Sequence, residues 1–216
     1  MAATDHPRST RLPLSGHRSL VVFARAPQLG RVKTRIAAEL GASEALAAYV
    51  QLAERTVTTA LTVRGCECVI AFTPPDELAA MRRWFGEGVD YESQCSGDLG
   101  ARMAHAIERR VTAGAERVIL VGTDCPGLDA PLLEDAFDAL ERADVVIGPA
   151  EDGGYYLIGT RRLHSALFAG IPWGSSRVLG NSLAAARAAD LTVHTLRRLA
   201  DIDTAADWHR WTTAHP

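Results

Sequence analysis

Val118-Ile119-Leu120-Val121-Gly122-Thr123-Asp124 is the stretch that decides the fold. Four consecutive apolar, mostly β-branched residues make a strand buried on both faces, the habit of a parallel sheet covered by helices. The strand runs directly into a glycine, a hydroxyl and a carboxylate. The same grammar recurs outward from it. Leu20-Val21-Val22-Phe23-Ala24 is an apolar strand followed by a loop from Arg25 to Gly30, and Cys68-Val69-Ile70-Ala71-Phe72 is another, stopped by Pro74 and Pro75. Val145-Val146-Ile147, Tyr155-Tyr156-Leu157-Ile158 and the run from Leu191 to Leu196 supply further strands.

Helical signals lie between these strands. They run from Lys33 to Leu40, closed by Gly41, then from an N-cap at Ser43 to about Leu61, and again to about Trp84. Others cover Asp98 to Ala113, Pro131 to Leu140 and Ser175 to Ala189, with a last helix starting near Asp203. Leu99, Met103, Ile107 and Val111 recur at a stride of four, which turns one helix face inward. Strand–helix alternation without a linker or repeat predicts a three-layer α/β/α sandwich around a mostly parallel sheet. Residues 18–216 are expected to form this one domain, and residues 1–17, broken by Pro7, Pro13 and Gly16, a flexible leader.

Composition narrows the function. The 216 residues are 47% hydrophobic and 23% charged, which is globular rather than disordered. A net charge of −3 gives no electrostatic case for nucleic acid or an anionic membrane. No apolar run reaches the roughly 18 residues that a membrane span needs. Cys66, Cys68, Cys95 and Cys125 match no zinc spacing and are few for a disulfide framework, so buried thiols and a cytoplasmic location are expected.

In a parallel sheet of this kind, ligands collect at the carboxyl ends of the strands. Four loops there carry candidate chemistry. The first, Ala24 to Arg35, holds Arg25, Arg31, Lys33 and Arg35 ahead of a helix N-terminus, a combination that suits polyphosphate. It is not a Walker A loop, because Arg31 and Val32 separate Gly30 from Lys33, and no GxGxxG occurs. The second presents Asp124 before Cys125-Pro126; an aspartate there either holds Mg²⁺ or Mn²⁺ or caps the next turn. The third, Glu151-Asp152-Gly153-Gly154-Tyr155-Tyr156, is either a hairpin turn or a catalytic loop with Asp152 as base. The fourth, Asp201-Ile202-Asp203-Thr204, sets Asp201 and Asp203 on one side; a metal carboxylate and a helix cap are both compatible with it. Gly97 and Asp98 open a helix, either touching a nucleoside or capping, and Trp173 either lines an acceptor pocket or packs beneath its loop.

Taken in order, these segments resemble one family. Pro27…Gly30-Arg31-Val32-Lys33-Thr34-Arg35-Ile36 resembles a PxxGxVKTRL signature, and Gly97-Asp98-Leu99-Gly100-Ala101-Arg102-Met103 a GDLGxRM helix start. Gly122-Thr123-Asp124-Cys125-Pro126-Gly127-Leu128 is similar to GTDSPxL, with Cys125 in place of Ser. The run from Gly148 to Gly159 is similar to GPxxDGGYYLIG, and Asp201-Ile202-Asp203-Thr204 to DVDTxxD. Trp173-Gly174-Ser175 stands where Trp-Ser-Thr is usual. The family is that of uncharacterised glycosyltransferase-like proteins labelled arsenosugar-biosynthesis glycosyltransferases. The resemblance implies the GT-A, nucleotide-diphospho-sugar transferase fold, shared with nucleotidyltransferases such as phospholactate guanylyltransferase.

Carried over, it puts Arg25, Gly30, Lys33 and Arg35 at the nucleotide phosphates and Gly97 and Asp98 near the nucleoside. Asp124 and Asp203 would hold Mg²⁺ or Mn²⁺, and Asp152, Gly153, Gly154, Tyr155 and Trp173 would face sugar or acceptor. The expected activity is metal-dependent glycosyl transfer from a nucleotide sugar to a small-molecule acceptor, with Lys33 and Asp152 catalytic. The alternative is a nucleotidyltransferase that joins a nucleoside triphosphate to a phosphorylated acceptor and releases pyrophosphate. A non-catalytic nucleotide sensor is the reading from another class.

Overall fold

The computed structural model describes residues 16–214, so most of the expected leader lies outside the described residues. Seven strands form one sheet: β1 (Arg18–Arg25), β2 (Cys66–Thr73), β3 (Asp90–Ser93), β4 (Arg117–Val121), β5 (Val145–Pro149), β6 (Tyr155–Thr160) and β7 (Val193–Thr195). Their spatial order is β3-β2-β1-β4-β6-β5-β7. β6 runs antiparallel to both its neighbours, β4 and β5, and every other pairing is parallel. The sheet is therefore mostly parallel, as the alternation predicts.

The helices are α1 (Thr34–Leu40), α2 (Ala42–Thr62), α3 (Leu78–Phe85), α4 (Leu99–Thr112), α5 (Ala130–Ala139), α6 (Val178–Ala188) and α7 (Ala205–Ala214). Strand alternation divides the core between two faces. Leu20, Val22 and Ile70 point to one side and pack with Val57 of α2, Met81 of α3 and Phe137 of α5. Val21, Leu120, Ile147 and Ile158 point to the other, against Met103 and Ile107 of α4 and Ala186 of α6. Burial of each such side chain is worth about 1.5–3 kcal/mol, so both faces must be covered. A smaller cluster of Ile36, Leu52, Ile202 and Trp208 fastens α1, α2 and α7 together.

Two local expectations are corrected. Gly41, not Ser43, stands at the N-cap of α2, and no side chain caps that end. Leu99 is 44% exposed, so it does not belong to the inward stripe; the buried face of α4 is Gly100, Met103, Ala106 and Ile107.

Chain order creates the cleft. β1 leads through α1 and α2 to β2 on one side of it, whereas β4 lies on its other side. The loops after β1 and β4 therefore diverge, and a crevice opens between them at the carboxyl ends.

Candidate functional site

The loop after β1 is anchored before it reaches its basic residues. The Tyr49 hydroxyl of α2 donates to the Arg25 carbonyl at 2.8 Å and accepts from the Arg25 N–H at 2.6 Å. Burial pushes this phenol up to about 12, so it stays a neutral two-way partner. Arg25 turns back to the Arg31 carbonyl at 3.0 Å. Gly30 takes φ 71° where a side chain would meet open space, so it serves the turn rather than a close approach. Lys33 then adopts φ 45°, ψ 50° at the N-cap of α1, a left-handed conformation that a side chain rarely accepts.

That conformation sends the Lys33 ammonium into the crevice. Its Nζ lies 2.6 Å from Asp124 Oδ1 and 3.4 Å from Asp203 Oδ1, and donates to the Ile202 carbonyl at 2.5 Å. The Lys33 side chain is only 5% exposed, against 50% for Asp124 and 36% for Asp203. Arg35, largely exposed, approaches Asp203 Oδ2 at 3.0 Å.

Neither aspartate is consumed by a helix end. Asp129 caps α5 by accepting from the Leu132 N–H at 2.9 Å, which leaves Asp124 to the crevice. Thr204 and Asp207 satisfy each other around the start of α7, with Asp207 Oδ2 accepting from the Thr204 N–H at 2.9 Å, which leaves Asp203 to Lys33 and Arg35. Asp98 is different: its carboxylate accepts from the Ala101 N–H at 2.8 Å and caps α4. Neither Asp98 nor Gly97 borders the crevice, although Leu99 beside them does.

The crevice has two joined hollows. The first, about 510 Å³, is walled by Arg25, Arg31, Lys33, Arg35, Tyr49 and Asp124, among others. The second, about 400 Å³, is walled by Phe23, Leu99, Tyr155, Tyr156 and Trp173, with Asp152 and Asp201 at its rim. Asp124, Asp203 and Arg35 border both. A larger hollow of about 800 Å³ runs along α5 and the edge strand β7; Asp138, Arg142 and His194 border it, but none of the predicted site residues does.

In the second hollow the β5–β6 link is a tight turn, with Asp152 Oδ1 accepting from the Gly154 N–H at 2.7 Å. The Asp152 N–H in turn donates to Asp201 Oδ1 at 3.2 Å. Partial burial, with Asp152 and Asp203 nearby, holds the Asp201 carboxyl above the usual carboxylate range. Gly153 takes φ 89°, and a side chain there would strike the Ser176 carbonyl. Trp173 packs edge-on to Tyr155 with ring centres 6.3 Å apart. Its indole nitrogen lies so near Gly100 that a methyl group there would come within 2.6 Å of it. The Cys125 thiol, just behind Asp124, is buried and pushed far up, so it is no nucleophile.

A hard divalent cation suits this donor set. Among the described residues Asp124 Oδ2 has no hydrogen-bond or ion-pair partner. No three His, Cys, Asp or Glu side chains among them converge as a complete cage, so phosphate oxygens and water would have to complete the coordination.

A sequence pattern described as that of an uncharacterized protein conserved in bacteria, DUF2064, matches residues 56–175. The chain belongs to the DUF2064 family. The matched span includes Asp124, Asp152 and Trp173 but not Lys33 or Asp203. No functionally curated protein matches this DUF2064 chain. Among solved structures it is similar to a protein from Desulfovibrio desulfuricans G20, provisionally named a nucleotide-diphospho-sugar transferase. The two share 32% identity over 90% of this chain and 86% of the other, with a TM-score of 0.85. The fold is thus that of the nucleotide-diphospho-sugar transferases. More distant is 4-diphosphocytidyl-2C-methyl-D-erythritol synthase from Anaerococcus prevotii DSM 20548, at 11% identity over 93% and 96% of the two chains and a TM-score of 0.62. A protein of Mycobacterium tuberculosis H37Rv in complex with manganese matches at 18% identity, 89% and 97% coverage and a TM-score of 0.57. Among the described residues, no helix is long and apolar enough to cross a membrane.

Two residues with positioning roles escape sequence reading. Tyr49 looks like one more helix residue, and only its burial shows that its hydroxyl needs a partner. Arg55 donates to the Pro126 carbonyl at 2.7 Å and steadies the Asp124 loop from α2. Nothing in the spacing of either residue signals this.

Proposed function

We propose that this DUF2064 protein is a metal-dependent glycosyltransferase that uses a nucleotide-diphospho-sugar donor and a small-molecule acceptor. The observation that carries the reading is the buried Lys33 ammonium between Asp124 and Asp203, at the point where a basic hollow meets an apolar one. The label of arsenosugar-biosynthesis glycosyltransferase belongs to this reading. So does a cytoplasmic location, which four free cysteines favour.

Asp124 and Asp203 are the residues that would hold Mg²⁺ or Mn²⁺, and the manganese complex of the mycobacterial neighbour supports that choice of metal. When bound, the metal supplies positive charge to the diphosphate. Arg25, Arg31 and Lys33 bind and orient the same group, and Lys33 and Arg35 stabilise the negative charge that grows on it. The acceptor hydroxyl attacks the anomeric carbon while that carbon's bond to the diphosphate oxygen breaks. The nucleoside diphosphate leaves with the electron pair, and Asp152 takes the hydroxyl proton. Gly153, Gly154, Tyr155 and Trp173 shape the sugar and acceptor space. Gly30 sets the turn that presents the basic loop, and Gly97 and Asp98 act on the nucleoside indirectly, by fixing where α4 begins.

Nucleotidyl transfer is the second reading: the fold is shared with a nucleotidyl transferase, and the basic hollow would suit a triphosphate as well as a nucleotide sugar. Thermal-shift and calorimetric titrations with nucleoside diphosphates, triphosphates and nucleotide sugars, with and without Mn²⁺, test the reading. Mn²⁺-dependent binding that Asp124→Asn abolishes, followed by release of nucleoside diphosphate from a nucleotide sugar, is the expected result. Pyrophosphate release from a triphosphate would replace it with the nucleotidyltransferase, and binding unchanged in Asp124→Asn would remove the metal assignment.

A further inference from the structure

The two hollows of the crevice differ in charge, and this bears on what the second one admits. Around the first, Arg25, Arg31, Lys33 and Arg35 outnumber Asp124 and Asp203. Around the second, Arg35 is the sole cation among the lining residues, against Asp124, Asp152, Asp201 and Asp203. Lys33 and Arg35 are already matched to Asp124 and Asp203 by ion pairs. Asp152 and Asp201 have no cationic partner among the described residues; their carboxylates accept from backbone N–H groups, Asp152 from that of Gly154 and Asp201 from that of Asp152 and its own. The remaining walls include Phe23, Leu99, Met103, Tyr155, Tyr156 and Trp173 and bring neutral donors, the unpartnered Trp173 indole N–H among them, but no further cation.

A phosphate entering this space would leave water for two uncompensated carboxylates and an aromatic wall, a placement that costs free energy unless a cation meets it. A neutral polyol loses less, since carboxylates accept hydroxyl hydrogen bonds and aromatic faces accept its C–H surface. At about 400 Å³ the hollow is at the small end for ligand sites, and it must hold the transferred group as well.

We propose that the acceptor is a compact hydroxyl compound carrying no phosphate or other anionic group, and that Asp152 and Asp201 together exclude phosphorylated molecules from the second hollow. This inference rests on the transferase reading and sharpens it, because a nucleotidyltransferase of the kind weighed above needs a phosphorylated acceptor.

Two measurements decide it. The first isolates Trp173 as the fluorescence difference between the wild-type chain and Trp173→Phe. It is then quenched with caesium, iodide and neutral acrylamide, each normalised to free N-acetyltryptophanamide. Caesium is expected to exceed iodide at least fivefold for this component, and Asp152→Asn/Asp201→Asn is expected to bring the two together. Iodide reaching Trp173 as readily as caesium overturns the proposal. The second offers the enzyme matched acceptors, glycerol with glycerol 3-phosphate and myo-inositol with myo-inositol 1-phosphate, and reads products by mass. A product built on the phosphorylated member also overturns it. Mn²⁺-dependent nucleotide binding is scored separately. Its loss with the caesium bias intact removes the transferase reading, whereas a lost bias with nucleotide binding intact removes only the acceptor assignment.

Discussion

Lys33 is the residue on which the site turns, and its removal separates two effects that the structure combines. The side chain places one ammonium against two carboxylates and a carbonyl while the backbone sits at φ 45°. Two partly buried charges near contact distance interact by about 4 kcal/mol at an effective dielectric of 20. Exposure of half of Asp124 and about a third of Asp203 reduces each pair to roughly 1 kcal/mol. The hydrogen bond to the Ile202 carbonyl adds about 1.5 kcal/mol, and the desolvation of the ammonium subtracts a comparable amount. Lys33→Ala should therefore cost about 2 kcal/mol, a fall in Tm of roughly 4–8 °C for a chain of this size. Lys33→Gly loses the same contacts but relieves the left-handed strain, worth about 1–2 kcal/mol for a residue with a side chain. Part of that relief is offset by the glycine's greater freedom when unfolded, so Gly should exceed Ala by about 0.5–1 kcal/mol. Urea unfolding of the three full-length chains measures both numbers. Both variants should also bind a nucleoside diphosphate with Mn²⁺ at least tenfold more weakly, while binding the free nucleoside unchanged. Equal stability of the Ala and Gly variants would refute the strain, and an alanine variant as stable as wild type would refute the ion-pair bridge.

Gly153→Ala should lower stability by about 2–4 kcal/mol, read by the same urea titration, because φ is positive and the added carbon meets the Ser176 backbone ahead of α6. Asp144 is held below the ordinary carboxylate value of 3.8 by hydrogen bonds from the Thr192 hydroxyl and N–H. A depressed carboxyl stabilises the fold above 3.8 and loses that contribution as the pH falls through its folded value. Asp144→Asn should thus lower Tm at neutral pH, and the difference from wild type should vanish in strong acid. A difference independent of pH would show that the carboxylate's charge is irrelevant. Burial raises the thiols of Cys66 to about 12 and Cys68 to about 11, and that of Cys125 further. Iodoacetamide at pH 8 should therefore alkylate Cys95 well before these three, as peptide mass mapping would show.

The sequence is most legible where burial leaves a run of apolar residues. β1, β2, β4, β5 and β6 each announce themselves in this way, and their order of alternation is enough for a mostly parallel sheet. β3 does not, since Asp90-Tyr91-Glu92-Ser93 is a polar edge strand whose pairing with β2 replaces any hydrophobic signal. The reversed direction of β6 is equally silent, because a strand buried on both faces reads the same in either sense. Caps are ambiguous for a different reason. Asp98, Asp124 and Asp203 all precede helices or turns, and a carboxylate there serves a backbone N–H or a ligand with the same chemistry. What separates them is whether a neighbour has taken the capping role: Asp129 does so for Asp124, Thr204 with Asp207 does so for Asp203, and nothing does so for Asp98.

The convergence of loops more than a hundred residues apart has one mechanical cause, the extended segment from Leu199 to Asp203. It crosses the carboxyl ends of the strands in turn. Leu199 bridges Ala150 beyond β5, and Asp201 accepts from the Asp152 N–H in the β5–β6 turn. The Ile202 N–H then donates to the Asp124 carbonyl beyond β4 at 2.9 Å, and Asp203 meets Lys33 and Arg35 beyond β1. Two of these contacts are backbone hydrogen bonds that fix spacing, and the last is a set of ion pairs that fixes charge. Because Ile202 is buried with Ile36, Leu52 and Trp208, the segment cannot slide without opening that cluster. The position of Asp203 against Lys33 and Arg35 is thereby tied through one segment to the Asp124 loop and, by way of Asp201, to the Asp152 turn.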